Sequence, residues 1–255
     1  SARQFIDAEI NWASHDVQCD LGFVIDRVSS WILPSLDSDV GISEPKHGPG
    51  AVVEGLLPNE KWKVISTVLR DRSILADTCF GELGLLNDFD SSQIVAESSG
   101  QMSLDLRLPE ALSDTSKLCI VPKDTKSMRA ITIEPVAKQF AQQLYNSALR
   151  KAIPRCRILN RCLTLADQTP NQRLALVGSQ TRSYCTIDLK SASDLLSLDI
   201  VKRVFQRHAA FLDSLLLSRS SQVRSGETLV ELKKYAGMGN ATTFPVQSVV
   251  FAVIA

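Results

Sequence analysis

Two acids, three cations and a glycine-bracketed loop are the residues whose types and spacing could do chemistry. Asp188 closes Tyr184-Cys185-Thr186-Ile187-Asp188-Leu189, whose apolar–polar alternation predicts a strand with the acid at its end. A carboxylate at the end of a strand can hold Mg²⁺, a hard cation that prefers oxygen ligands and bridges to phosphate oxygens. It can equally be a solvated acid at a sheet edge. Asp194, six residues on, falls in the first turn of a helix expected over Ser193–Ala210; it either meets a ligand or, with Ser193, caps that helix. Lys123, Lys126 and Arg129 recur every three residues beside the strand-like Ala130-Ile131-Thr132-Ile133. Cations at such a loop-to-strand junction suit a triphosphate or a developing pyrophosphate, and a solvated hairpin has the same composition. In Gly237-Met238-Gly239-Asn240-Ala241-Thr242-Thr243 the glycines allow close backbone approach, and Asn240, Thr242 and Thr243 offer short donors and acceptors. They could sense a ribose hydroxyl or a template base, or form a turn and a helix cap. The loop matches neither the dinucleotide fingerprint nor the Walker pattern, which excludes the ordinary nucleotide folds.

The elements that must position these residues follow from periodicity and punctuation. Residues 1–36 read as helical, with Trp12, Phe23, Val24, Val28 and Trp31 as anchors and Pro34 as the stop. A loop over Asp37–Gly50 ends in His47-Gly48-Pro49-Gly50-Ala51. Lys61–Leu75 is a short helix or a strand–helix mixture, and the acidic stretch Asp77–Asp114 breaks into short pieces at its glycines. Val136–Lys151 predicts a helix anchored by Phe140, Leu144 and Leu149 and ended by Pro154. Ser193–Ala210 predicts another, with Leu195, Leu198, Val201, Val204 and Phe205 as its stripe and Asp199–Arg203 as a flank pair. Lys233–Asn240 is a loop leading into an apolar terminal element.

Composition sets outer bounds. The 255 residues can bury a substantial core, and 44% hydrophobic with 22% charged residues excludes wholesale disorder. Lysines and arginines balance aspartates and glutamates at 28 each. The balance is not uniform. Lys117–Arg182 carries twelve cations against Asp124, Glu134 and Asp167, a local +9 that the remainder offsets with −9. Such a zone can line a groove for phosphates or be a basic solvated face. Six cysteines without a C-x-x-C pair, and three histidines, argue for scattered thiols in a reducing compartment and against structural zinc. No apolar run has membrane-spanning length, and no leader segment is recognisable. The uncapped apolar stretch Phe244–Ala255 is expected of a fragment of a longer protein, with an ordinary final buried strand or helix as the alternative.

In order, the basic V-P-K…R segment, D-L-x-S-A-S-D and G-M-G-N-x-x-T-F resemble the RNA-directed RNA polymerases of single-stranded RNA bacteriophages, the leviviral replicase catalytic subunits; His47–Ala51 resembles that family's early G-P-G-A segment. The resemblance runs from that loop to the terminus. It implies an α+β right-hand polymerase fold: residues 1–180 mainly fingers, with a nucleotide-phosphate segment at 117–135, and 181–255 a partial palm, with the thumb absent. Motif A would be 184–194 and motif B 237–250. By the same resemblance Lys123, Lys126 and Arg129 would meet the incoming triphosphate, with Lys123 and Arg129 also serving catalysis. Asp188 would be the first catalytic aspartate, with the Leu189 carbonyl assisting the metal. Asp194 would recognise the ribose 2′-hydroxyl, and Gly237, Gly239, Asn240 and Thr243 would contact nucleotide sugar and template. The implied reaction is two-Mg²⁺ nucleotidyl transfer copying phage RNA in the cytoplasm of an infected bacterium. Template RNA and ribonucleoside triphosphates are the implied ligands, and bacterial translation elongation factors and a ribosomal protein the implied partners. Relatives complete the metal site with a Gly-Asp-Asp hairpin, and this sequence has none, so the segment by itself is expected to be inactive. The competing expectation is a non-catalytic RNA-binding module that uses residues 117–182.

Overall fold

A computed structural model describes residues 2–10, 22–41, 43, 45–62, 114–125, 127–189 and 191–255. After residue 114 the chain builds a hairpin. Strands β1 (Thr115–Pro122) and β2 (Met128–Ile133) pair antiparallel, from Lys117 opposite Ile133 to Pro122 opposite Met128. Asp124 closes the turn between them by accepting from the Ser127 N–H at 2.7 Å and from the Ser127 hydroxyl. Strand β3 (Gln222–Ser225) joins β1 in parallel and β4 (Thr228–Glu231) returns antiparallel, giving the order β2-β1-β3-β4. Helix α1 (Ala2–Ile10) packs on this sheet and buries Phe5 with Ala130, Val223 and Leu232.

The second layer is helical: α2 (Gly22–Ser29), α3 (Leu36–Gly41), α4 (Val136–Arg155), the short α5 (Leu159–Cys162), α6 (Thr169–Thr181), α7 (Leu198–Phe205), α8 (Ala209–Ser218) and α9 (Thr243–Ile254). The mixture of a small sheet and many helices is the α+β class that the resemblance implies. Helix α4 is the hub. Its Leu144, Tyr145, Leu149 and Ile153 pack with Val201 and Phe205 of α7, Phe211 and Leu215 of α8, and Val249 and Val253 of α9. Burying each such side chain stabilises the fold by about 1.5–3 kcal/mol. Tyr145 meets Phe211 edge-on, at 85° with centroids 5.9 Å apart.

Buried polar groups tie the layers together. Pro135 offers no side-chain cap, so Glu54 reaches from the early loop and accepts from the Val136 N–H at 2.9 Å. Glu134 accepts from Thr132 Oγ1, Gln142 Nε2 and Ser220 Oγ, which joins β2, α4 and the approach to β3. Lys61 donates to the carbonyls of Gly48 and Gly50 and to Gln139, pinning the His-Gly-Pro-Gly loop to α4.

Several expectations are corrected. Tyr184–Leu189 is exposed, irregular chain and not a strand. Alternation makes a strand only when one face is buried and the backbone finds a partner, and no described strand pairs with it. Ser193–Ala210 is not one helix. Residues 191–195 form turns, the Tyr235 N–H bonds to Leu196 O at 2.7 Å, and Ser197 caps α7 by accepting from the Ile200 N–H at 3.1 Å. The chain breaks again at Gln206–His208 before α8. Leu195 is consequently exposed and Leu196 takes its place in the core. Arg203 donates to Asp26 of α2 through Nε and Nη2 at 2.7 and 2.9 Å, across helices and not along its own flank toward Asp199. Phe23, Val24 and Trp31 are exposed; Ile25, Ile32, Leu33 and Leu36 anchor that region, because α2 turns a different face inward. The loop expected from Asp37 begins instead as α3, and α4 continues through Pro154 into its last turn. Trp12, Lys126, Cys19, Cys79, most of Lys61–Leu75 and nearly all of Asp77–Asp114 lie outside the described residues.

Candidate nucleotide site

The three motifs meet in one cleft of about 1010 Å³. Its walls include Lys123 and Arg129 from the hairpin, Asp188, Leu189 and Asp194 from the segment before α7, and Gly239, Asn240 and Thr243 from the glycine loop and α9. Gln4, Phe5 and Ala8 of α1 complete one side. Lys123 and Arg129 are exposed at the turn end of the hairpin, where the Asp124 bonds hold β1 and β2 together, so both charges can meet a solvent-borne anion.

The glycine loop is fitted to β2. The Thr132 N–H donates to Met238 O at 2.7 Å. A Cβ on Gly237 would run into the Thr132 side chain, and one on Gly239 into the Thr132 carbonyl oxygen. Gly239 also has φ +138°, a backbone that side-chain-bearing residues rarely adopt. Gly237 is therefore a buried spacer beneath the cleft, while Gly239 lines it. Thr243 Oγ1 donates to Gly237 O at 3.0 Å and fastens the loop to the start of α9.

Beyond the glycines a chain of hydrogen bonds orients Asn240. Tyr235 Oη and Thr242 Oγ1 are 2.7 Å apart, and Thr242 donates to Asn240 Oδ1 from its N–H at 2.8 Å and its hydroxyl at 2.6 Å. Both acceptor positions of the amide oxygen are thereby used. The Asn240 amide nitrogen is buried and has no hydrogen-bond partner among the described residues. Burial pushes the Tyr235 hydroxyl well above its ordinary pKa, so it stays protonated and available to donate.

Asp194 is not a helix cap. Its Oδ1 lies 3.3 Å from the ammonium of Lys234, a fully buried lysine that also faces Glu9 of α1 at 3.5 Å. Sequence reasoning missed Lys234, Glu9 and Phe5, since no local pattern joins positions 5, 9, 194 and 234. The one available signal was a lysine pair, Lys233-Lys234, immediately before the glycine loop. Asp188 makes no ion pair among the described residues. With the adjacent Leu189 carbonyl it could hold a hard cation, yet no group of three or more metal-ligating acids, cysteines or histidines occurs among those residues. Asp188 with one carbonyl would be too small a ligand set to close a two-metal site.

The basic zone divides. Lys138 is buried and pairs with Asp114, and Arg155 pairs with Asp39, so both serve the fold. Arg150, Arg157, Arg161, Arg173 and Arg182 remain exposed on α4–α6 and their connections. Arg182 ends α6 in the left-handed region at φ 59°. Cys119, Cys156, Cys162 and Cys185 are free thiols. No described helix is long and apolar enough to cross a membrane.

A profile described as RNA replicase, beta-chain, matches residues 89–255, about two thirds of the sequence. The chain belongs to this RNA replicase beta-chain family. It is 36% identical over 152 residues to the RNA-directed RNA polymerase subunit beta of Enterobacteria phage SP, covering 60% of this chain and 25% of that protein. It is 34% identical over 154 residues to the corresponding subunit of Escherichia virus Qbeta, covering 59% and 24%. Against the RNA-directed RNA polymerase beta chain of Escherichia phage MS2 it is 35% identical over 140 residues, covering 52% and 23%. The aligned part is therefore about a quarter of the length of these relatives. The replicase family match contains every residue that the motifs nominate. The His47–Ala51 loop and α1 precede it.

Proposed function

We propose that this chain is the nucleotide-selecting part of an RNA-directed RNA polymerase that replicates an RNA phage genome. The observation that carries the reading is the convergence of Lys123, Arg129, Asp188, Asp194, Asn240 and Thr243, far apart in sequence, on one cleft. In this reading Lys123, Lys126 and Arg129 neutralise the triphosphate and its departing pyrophosphate. Asp188 and the Leu189 carbonyl contribute to binding Mg²⁺, which when bound activates the attacking 3′-hydroxyl and stabilises the leaving group. Asp194 and the Asn240 amide nitrogen, unpartnered among the described residues, face the ribose, and Gly237, Gly239 and Thr243 shape the loop that contacts sugar and template. Residues 1–180 would be mainly fingers and 181–255 part of the palm, with motif A at 184–194 and motif B at 237–250. Substrates would be ribonucleoside triphosphates and template RNA, in the cytoplasm of an infected bacterium, with host translation elongation factors and a ribosomal protein as partners.

The test is Asp188→Ala in a subunit completed to the length of its relatives. We expect Mg²⁺-dependent ribonucleotide incorporation to fall at least about a hundredfold while RNA binding is kept. An unchanged incorporation rate would remove Asp188 from the metal site. A second reading rests on the exposed arginines of α4–α6: a module that binds RNA with strong salt dependence and incorporates nothing even when completed.

A further inference from the structure

The buried ion cluster beside the cleft has no assigned purpose. Lys234 has no exposed surface, and its ammonium sits 3.1 Å from the centroid of the Phe5 ring, 3.3 Å from Asp194 Oδ1 and 3.5 Å from Glu9 Oε1. Glu9 is only 2% exposed, and its other oxygen accepts from the Lys233 N–H at 2.8 Å. Burying an ammonium and a carboxylate is costly unless their contacts compensate, and an apolar pair of similar volume often serves the fold as well. A cluster kept at the wall of a ligand cleft therefore calls for a role beyond packing.

We propose that Lys234 is a positioning residue for Asp194, and that Glu9 and Phe5 make α1 part of the nucleotide site. The inference rests on the polymerase reading above and deepens it. Lys234 is the fixed member of the pair. The buried Arg219 donates to the carbonyls of Leu232, Lys234 and Tyr235, and the Leu198 and Tyr235 N–H groups bond across to Lys233 and Leu196. Asp194 is the dependent member. It sits on an irregular turn that begins at Ser191 with φ 55°, and its side chain is 18% exposed at the cleft wall. Lys234 engages Oδ1, and among the described residues Oδ2 makes no hydrogen bond. One oxygen is anchored and the other is left to accept from a sugar hydroxyl. Without Lys234 the Asp194 turn keeps its acid and loses its aim, so discrimination between ribose and 2′-deoxyribose should decline before catalysis does.

The test measures kcat and KM for a ribonucleoside triphosphate and its 2′-deoxy counterpart on an RNA template, again in the completed subunit. The double variant Glu9→Gln with Lys234→Met removes the buried cation and one buried anion together, leaving α1 without an unpaired charge. We expect its ribose selectivity to fall about tenfold, mainly through a higher KM for the ribonucleotide. Asp194→Asn should fall to a similar level, and combining all three changes should add nothing further. Lys234→Arg, which keeps the cation, should recover part of the loss. Unchanged selectivity in a folded double variant overturns the proposal, as does a loss fully additive with Asp194→Asn. If the double variant does not fold, Lys234→Gln is held to the same ratio; failure of both to fold also overturns it, by making Lys234 a folding residue. A wild-type subunit with no Mg²⁺-dependent incorporation overturns the polymerase reading as a whole. A wild-type enzyme whose selectivity ignores Lys234 overturns this inference alone.

Discussion

At the scale of single residues, Gly239 is the most constrained position in the cleft. Its φ of +138° and the Thr132 carbonyl beside it leave no room for a methyl group. Gly239→Ala should destabilise the protein by about 2 kcal/mol through backbone strain and overpacking, read as a lower urea midpoint with unchanged slope. Nucleotide affinity should drop with it, because β2 and the loop must part to admit the methyl. Composition flagged this glycine as permissive, but only the structure shows what it approaches. Asp188, Lys123 and Arg129 were legible for a plain reason: charged side chains beside apolar alternation stand out locally. Lys234 was not legible. A buried ion pair is defined by its partners, and Glu9 and Asp194 are separated from it by 225 and 40 positions. Asn240 falls between these cases, since its type was noticed while the bonds that orient its amide depend on Tyr235 and Thr242.

At the scale of elements, the His47–Ala51 loop is held against α4 by Lys61 and by the His47 ring, whose centroid lies 4.8 Å from that of Phe140. Burial, reinforced by the Lys61 charge, holds the His47 pKa below its ordinary 6.5, and its buried Nδ1 has no hydrogen-bond partner among the described residues. The folded state thus binds fewer protons than the unfolded state in the interval just below pH 6.5. The stability contributed by neutral His47 is present above that pH and is lost as pH falls through the folded value. Thermal unfolding from pH 8 to pH 5 should show a falling Tm that His47→Leu flattens, after allowance for the carboxylates. The helices were legible where apolar spacing was long and uninterrupted, as in α4. The segment 184–189 and the helix expected at 193–210 were misread because backbone partners from residues 233–235, and the absence of a described strand neighbour, outweigh local pattern. Phe23 and Trp31 were misread for a related cause: size alone does not say which face of a short helix turns inward.

At the scale of the whole molecule, zero net charge conceals a division of labour within the basic zone. Lys138 and Arg155 neutralise Asp114 and Asp39, while Lys123 and Arg129 face the cleft and Arg157, Arg161 and Arg173 face solvent. We expect Arg157→Ala with Arg161→Ala to weaken RNA binding about equally for unrelated sequences and to flatten the salt dependence by about one phosphate contact per arginine lost. Filter-binding titrations at several salt concentrations check this, and an unchanged slope would place the RNA elsewhere. Nucleotide chemistry should survive that change, because neither arginine lines the cleft. The bond from the Thr132 N–H to Met238, with the glycines seated on the same residue, has a consequence for how the cleft measures its ligand. In the proposed reading, the cations that would meet phosphate and the loop that would meet sugar are two jaws of one calliper, joined at Thr132. With that joint in place, the distance from phosphate to ribose would be a dimension that the protein gauges.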